Sequence, residues 1–148
     1  MQELHLTCNM IRDVAPLQGF AQLETLDLSY NQLSESALVA LTMIPKLRRL
    51  DLTCNGLLSI PQAFEEMKLL ESLNLEHNNL EKSDTIITLA SCPRLKELNV
   101  SSNFFAEIPE EVGGGTGFPR LEWFNLSNNE IAYEEAVGLF VRFFVWSI

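Results

Sequence analysis

Basic residues are scarce. Ten Lys and Arg stand against twenty Asp and Glu, for a formal charge of −10. That balance excludes a nucleic-acid backbone or an anionic membrane surface as the main partner. Cysteine is scarce too, three in 148 residues. An odd, low count predicts no disulfide framework and an intracellular, reducing setting. There are only two histidines, His5 and His77, and they lie too far apart for a shared metal site. Long apolar runs are missing. The most apolar stretch, "AVGLFVRFFVWSI", is too short to span a bilayer and carries Arg142. The start, Met1-Gln2-Glu3-Leu4, has no basic n-region and no apolar run after it. No secretory leader is expected, and neither a cofactor nor a membrane partner.

What the chain does have is apolar content, 47%, enough for one domain with a sizeable core. That content is periodic. Six segments align: "MQELHLTCNMI", "LETLDLSYNQL", "LRRLDLTCNGL", "LESLNLEHNNL", "LKELNVSSNFF" and "LEWFNLSNNEI", starting at residues 1, 23, 47, 70, 95 and 121. Their fourth positions are Leu4, Leu26, Leu50, Leu73, Leu98 and Phe124, spaced 22, 24, 23, 25 and 26 residues apart. The pattern L-x-x-L-x-L-x-x-N-x-L resembles that of intracellular leucine-rich repeat proteins.

The physics of such a unit follows from its alternation. Each repeat places a short strand on one side of a coil, with alternate residues on opposite faces. Leu6, Leu28, Leu52, Leu75, Val100 and Leu126 form one expected inward layer, and Leu4 through Phe124 another. No single repeat buries its leucines, but neighbours bury each other's. Asn9, Asn31, Asn55, Asn78, Asn103 and Asn129 recur where the chain leaves the strand. A buried side-chain amide there satisfies backbone groups that no strand or helix reaches. The expected fold is therefore α/β. It is a solenoid over residues 1–131, with a parallel sheet on the concave side and short helices, 3₁₀ turns and loops on the convex side.

The outer segments differ from repeat to repeat. "SESALVALTMIP" predicts a helix capped by Ser34, with Leu38, Leu41 and Ile44 on one face. "SDTIITLASCP" predicts a second, capped by Ser83. "RDVAPLQGF" suggests 3₁₀ turns, and Ile60-Pro61 and Ile108-Pro109 mark extended or half-helical backs. The run Gly113 to Gly117 has no following Lys, so it is a loop and not a phosphate cradle. Residues 132–148 carry no further repeat asparagine. They are expected to form a helix to about Phe140 and an extended tail, or a partial seventh repeat on Phe140, Phe143 and Val145. Neither end carries a polar cap, so a piece of a longer protein, or ends covered by partners, is expected.

Candidate functional residues are those the strand face leaves to solvent. One column holds His5, Asp27, Asp51, Asn74, Asn99 and Asn125. Two residues earlier come Glu3, Thr25, Arg49, Ser72, Glu97 and Trp123; two later come Thr7, Ser29, Thr53, Glu76, Ser101 and Ser127. Tyr30 and Trp123 are the aromatic candidates, of the types enriched in binding hot spots. The partner-binding set is thus Tyr30, Trp123, Arg49, Asp27, Asp51, Asn74, Asn99 and Asn125. Asp27 and Asp51 on adjacent strands are a carboxylate pair, but an open sheet lacks the walled pocket that catalytic carboxylates need. "KLRR", Lys46 to Arg49, is the basic cluster, suited to local pairing or to an acidic partner segment. Cys8 and Cys54 share one slot two repeats apart, about 10 Å, too far for a disulfide. Cys92 is expected to be a buried, inert thiol.

A narrower resemblance rests on "LETLDLSYNQLSESALVALTMIPKLRRLDLTCNGLLSIP". It is similar to a repeat pair of the X-ray radiation resistance-associated family, through Ile44 to Arg48, Thr53 to Leu57 and Ser59-Ile60-Pro61. "NNEIAYEEAVGLF" is similar to a later segment of that family. The family's long insertions and its next repeat have no match here. The resemblance implies a cellular phenotype and no reaction. The function expected is a non-enzymatic protein-interaction scaffold in the cytoplasm or nucleus. A structural subunit of a large assembly such as a ciliary axoneme, or a damage-response factor acting through protein partners, is the alternative.

Overall fold

The computed structural model describes residues 1–112 and 117–132. Three-residue strands recur once per repeat: β1 Glu3–His5, β2 Thr25–Asp27, β3 Arg49–Asp51, β4 Ser72–Asn74, β5 Glu97–Asn99 and β6 Trp123–Asn125. They form one parallel sheet in chain order. The register places Leu4, Leu26, Leu50, Leu73, Leu98 and Phe124 side by side. Leu26, Leu50, Leu73 and Leu98 are at most 3% exposed, as are Leu28, Leu52, Leu75 and Val100. Both inward layers are therefore continuous, and only Leu4, Leu6, Phe124 and Leu126, in the outermost strands, are partly buried.

In the first four repeats the backs alternate with repeat length. The first and third repeats, the shorter ones, return through 3₁₀ turns, Ala15–Gly19 and Gln62–Glu66. The second and fourth, the longer ones, hold α1 Glu35–Leu41 and α2 Asp84–Ala90. A 3₁₀ helix rises about 2.0 Å per residue against 1.5 Å, so it crosses the same span with fewer residues. Each α-helix packs on the 3₁₀ turn before it. Strands stack at about 4.8 Å while a helix needs about 10 Å. The backs splay and the strand face is concave.

Ser34 caps α1 as expected, its hydroxyl accepting from the Ala37 amide, and Leu38, Leu41 and Ile44 are buried. Ser83 does not cap α2. Its backbone is itself helical and its side chain makes no cap bond. The Lys82 carbonyl accepts from the Thr85 amide instead, so the turn begins one residue earlier. Gly117 sits close under Ala90, where an added Cβ would lie 2.9 Å from the Ala90 Cβ. The tail and the rest of the glycine run, residues 133–148 and 113–116, lie outside the described residues.

The asparagines form the spine. Asn78 Nδ2 donates to the carbonyls of Leu52, Leu75 and Glu76, and its Oδ1 accepts from the amides of Asn55 and Leu57. Asn31, Asn55, Asn103 and Asn129 repeat this bridge between neighbouring coils. Asn9 bonds only its own turn. The residue before each asparagine is left-handed: Cys8, Tyr30, Cys54, His77, Ser102 and Asn128 have φ from 53° to 56°. Its amide still reaches the next coil, as from Tyr30 to the Thr53 carbonyl. The slot therefore constrains backbone, not chemistry.

Two predictions follow from this spine. Asn78→Ala strands two amides and three carbonyls, and should lower the unfolding free energy by about 2–4 kcal/mol. Asn79→Ala, exposed beside it, should stay within about 0.5 kcal/mol; urea titration reads both. At the left-handed slot, His77→Val should cost about 1–2 kcal/mol and His77→Gly should cost nothing or stabilise.

Candidate functional site

The strand face carries three columns with different duties. In the middle one, Asp27, Asp51, Asn74, Asn99 and Asn125 lie in register on adjacent strands. Each turns its Oδ1 back to accept the backbone amide two residues on: Ser29, Thr53, Glu76, Ser101 and Ser127. These are Asx turns. The five side chains therefore hold the strand exit with one oxygen, and the second polar atoms of Asp27, Asp51, Asn74 and Asn99 bond side chains of the neighbouring coils. His5 fills the same position in β1 and makes no such turn.

The later column differs from expectation. Ser29, Thr53 and Ser101 are buried, not solvent-facing. The hydroxyls of Ser29, Ser101 and Ser127 fold back onto Asp27, Asn99 and Asn125; Ser29 and Ser101 are covered by the coils stacked on either side, while Ser127, in the last described strand's coil, stays exposed. Thr53 is the exception: its hydroxyl is buried with no partner. An orphaned buried hydroxyl costs about 1–3 kcal/mol.

The earlier column is uncommitted. Glu3, Thr25, Arg49, Ser72, Glu97 and Trp123 stand in register. Arg49 and Glu97 are exposed, and Trp123 is 51% exposed. Arg49 makes no ion pair among the described residues. Tyr30, also exposed, lies in the left-handed slot of the second repeat between Cys8 and Cys54, and the Cys54 thiol pushes its phenol pKa up. Four strand spacings separate it from Trp123, about 19 Å across the sheet. The two aromatics mark opposite ends of the surface and form no shared cluster.

Charge on this face is shaped by hydrogen bonds. Burial opposes the Asp27 charge, but the Ser29 hydroxyl, the Ser29 amide, the Thr7 hydroxyl and His5 outweigh it and hold its pKa below the usual value. One residue before the strands, charges alternate along the solenoid: Glu24, Arg48, Glu71, Lys96 and Glu122. Arg48 lies 2.6 Å from Glu71 and 3.6 Å from Glu24, and Lys96 3.4 Å from Glu71. Burial works against Glu71, and Lys96 and Arg48 overcome it, lowering its pKa. Two of the three basic residues of "KLRR" are thus absorbed locally, Arg48 by Glu71 and Glu24 and Lys46 by donating to Gln22. The ladder was readable as an alternating second position; four of the five Asx turns were readable as Asp or Asn followed two residues on by Ser or Thr, and the fifth, Asn74 followed by Glu76, was not. Cys92 is fully buried, and its burial pushes the thiol up to about 11. No group of three His, Cys, Asp or Glu side chains among the described residues is arranged to hold a metal. No helix among them is long and apolar enough to cross a membrane.

A "Leucine rich repeat" family model matches residues 1–57 and 45–105. The chain belongs to the leucine-rich repeat family. Mouse X-ray radiation resistance-associated protein 1 is 37% identical over 128 residues, 74% of this chain and 16% of that protein. Mouse Tsukushi is 33% identical over 75% of this chain and 32% of its own length. Human PH domain leucine-rich repeat-containing protein phosphatase 1 is 36% identical over 87% of this chain and 7% of its own. The chain thus spans 32% or less of these relatives. Among solved structures, a Leptospira interrogans leucine-rich repeat protein superposes with a TM-score of 0.77 at 23% identity, over 95% of this chain and 35% of that one. An internalin C2 from Listeria monocytogenes gives 0.75 at 22%, over 94% and 57%. These two show the fold of the repeat family.

Asp27 yields a pH test. Its folded pKa lies below the unfolded value of about 3.9, so its charge contributes stability above about pH 4 that disappears as pH falls through the folded pKa. Asp27→Asn keeps the turn acceptor, as Asn74 shows. Denaturant midpoints measured from pH 7 to 2 should fall less steeply below pH 4 in the variant.

Proposed function

We propose that this chain is a non-enzymatic protein-interaction module whose concave strand face takes a partner segment. The observation that carries it is the column of Glu3, Thr25, Arg49, Ser72, Glu97 and Trp123. These side chains are held in register by the sheet and make no side-chain hydrogen bond to the described residues. A rigid row of unspent polar groups ending in a half-exposed tryptophan costs little ordering on binding, and Trp and Arg are the side chains that dominate interface energies. The leucine-rich repeat relatives named for phosphatase activity match this chain over 7% of their length, which lends their chemistry no support here. An intracellular setting is supported by free thiols at Cys8 and Cys54, exposed and half-exposed.

A second reading, a subunit built into a larger assembly, draws on Val39, Met43 and Ile87, apolar side chains exposed on the backs. Affinity capture from native tissue separates the two. Trp123→Ala and Arg49→Ala should each lower recovery of the main captured protein at least about fivefold, and Met43→Ser should leave it unchanged. Loss with Met43→Ser and retention with Trp123→Ala would reverse the assignment.

A further inference from the structure

We infer that Asn55-Gly56 is a self-modifying site, where the Gly56 amide nitrogen attacks the Asn55 side chain, removes its amide and unlocks the joint between the second and third coils for good. The chemistry needs only water. The Gly56 nitrogen gives up its proton to solvent and bonds to Asn55 Cγ. The Cγ–Nδ2 bond breaks and ammonia leaves, closing a cyclic imide. Water then opens the ring at one carbonyl or the other, giving aspartate or its isomer with the backbone routed through the side chain. A following residue without a Cβ obstructs this attack least. Asn55 is the one asparagine of the chain followed by glycine; the other spine asparagines precede Met10, Gln32, Asn79, Phe104 and Glu130.

Two structural features single out the same dipeptide. The first is the attacking nitrogen. The amides of Gln32, Asn79, Phe104 and Glu130 donate to the carbonyls of Ile11, Leu57, Leu80 and Phe105. The Gly56 amide holds the equivalent place, at φ 69°, and makes no hydrogen bond to the described residues. The second is the hold on the side-chain oxygen. Oδ1 of Asn31, Asn78, Asn103 and Asn129 accepts from the preceding coil at 3.0 or 3.1 Å. Asn55 Oδ1 accepts one bond there, from Leu33 at 3.3 Å. What restrains the reaction is the other half of the amide. Nδ2 donates to the carbonyls of Leu28, Leu52 and Thr53, and Asn55 is 7% exposed. Those bonds must break before Cγ can turn toward the Gly56 nitrogen, so the folded chain reacts only through local opening. The product cannot close again. A carboxylate only accepts, so three carbonyls lose their donor and a charge is set among them. The isomer also lengthens the backbone of the turn.

The test incubates the whole reduced chain in mildly alkaline buffer, folded and in guanidinium chloride. Mass spectrometry of the tryptic peptide Leu50 to Lys68, and of the peptides carrying the other asparagines, reads conversion of amide to acid. In the unfolded chain Asn55 should convert at least about tenfold faster than any other asparagine, and Gly56→Ala, also read unfolded, should abolish that lead. Folding should slow Asn55 at least about tenfold. The product is made directly as Asn55→Asp. It should lower the urea midpoint at neutral pH well beyond Asn79→Asp, which adds the same charge at an exposed position. Conversion of Asn78 or Asn103 as fast as Asn55 in the unfolded chain would overturn the inference. So would a folded chain that converts as fast as the unfolded one, or equal midpoints for the two Asp variants.

Discussion

The structure depends on one buried amide per turn. A coil of this kind leaves backbone groups at each strand exit that no ladder satisfies, and unmet buried polar groups are costly. The asparagine side chain answers both needs, with two donors and an acceptor on one short stem. Asn78 shows the economy of it: three carbonyls and two amides, from two coils, meet a single side chain. Because each amide bridges to the preceding coil, the leucine layers are locked in register as well as packed. Leu52 and Leu75 are both fully buried, and the carbonyls of both accept from Asn78.

That spine has a conformational cost, and the neighbouring slot carries it. Turning the asparagine inward forces the residue before it to positive φ, which ordinary side chains resist. Cys8, Tyr30, Cys54 and His77 accept the strain, and none is chosen for its reactivity. The repeated Thr-Cys-Asn therefore reflects a shared turn. It recurs in the first and third repeats, both of which have 3₁₀ backs, so the twin segments share their whole coil type.

The inward half of the repeat was legible because each position obeys one demand. Leu at the core and Asn at the turn recur for the same reason in every coil. Ser34 and α1 were legible through a local cap. Ser83 misled because a serine before a helical pattern says nothing of whether its own backbone is already helical. The left-handed slot was hidden: six positions carry five residue types, and only His77 and Asn128 are of types that visit that region readily. Burial of Ser29, Thr53 and Ser101 was hidden for another reason. Alternation places them outward, and the coils stacked on either side cover them; Ser127, with the same Asx turn at the last described strand, stays exposed.

The outer face then divides by what the fold has already claimed. Asp27, Asp51, Asn74, Asn99 and Asn125 each give an oxygen to the strand exit, so their identity is limited to Asp or Asn by structure. Their exposed atoms can still meet a ligand, but they cannot vary to choose one. The column two residues earlier bears no such limit, and it holds Glu3, Thr25, Arg49, Ser72, Glu97 and Trp123, six residues of five types. Discrimination between partners is a difference of affinities, and it requires positions free to differ. In this solenoid those positions are the uncommitted column, and the middle column supplies a fixed acidic and amide background against which it reads.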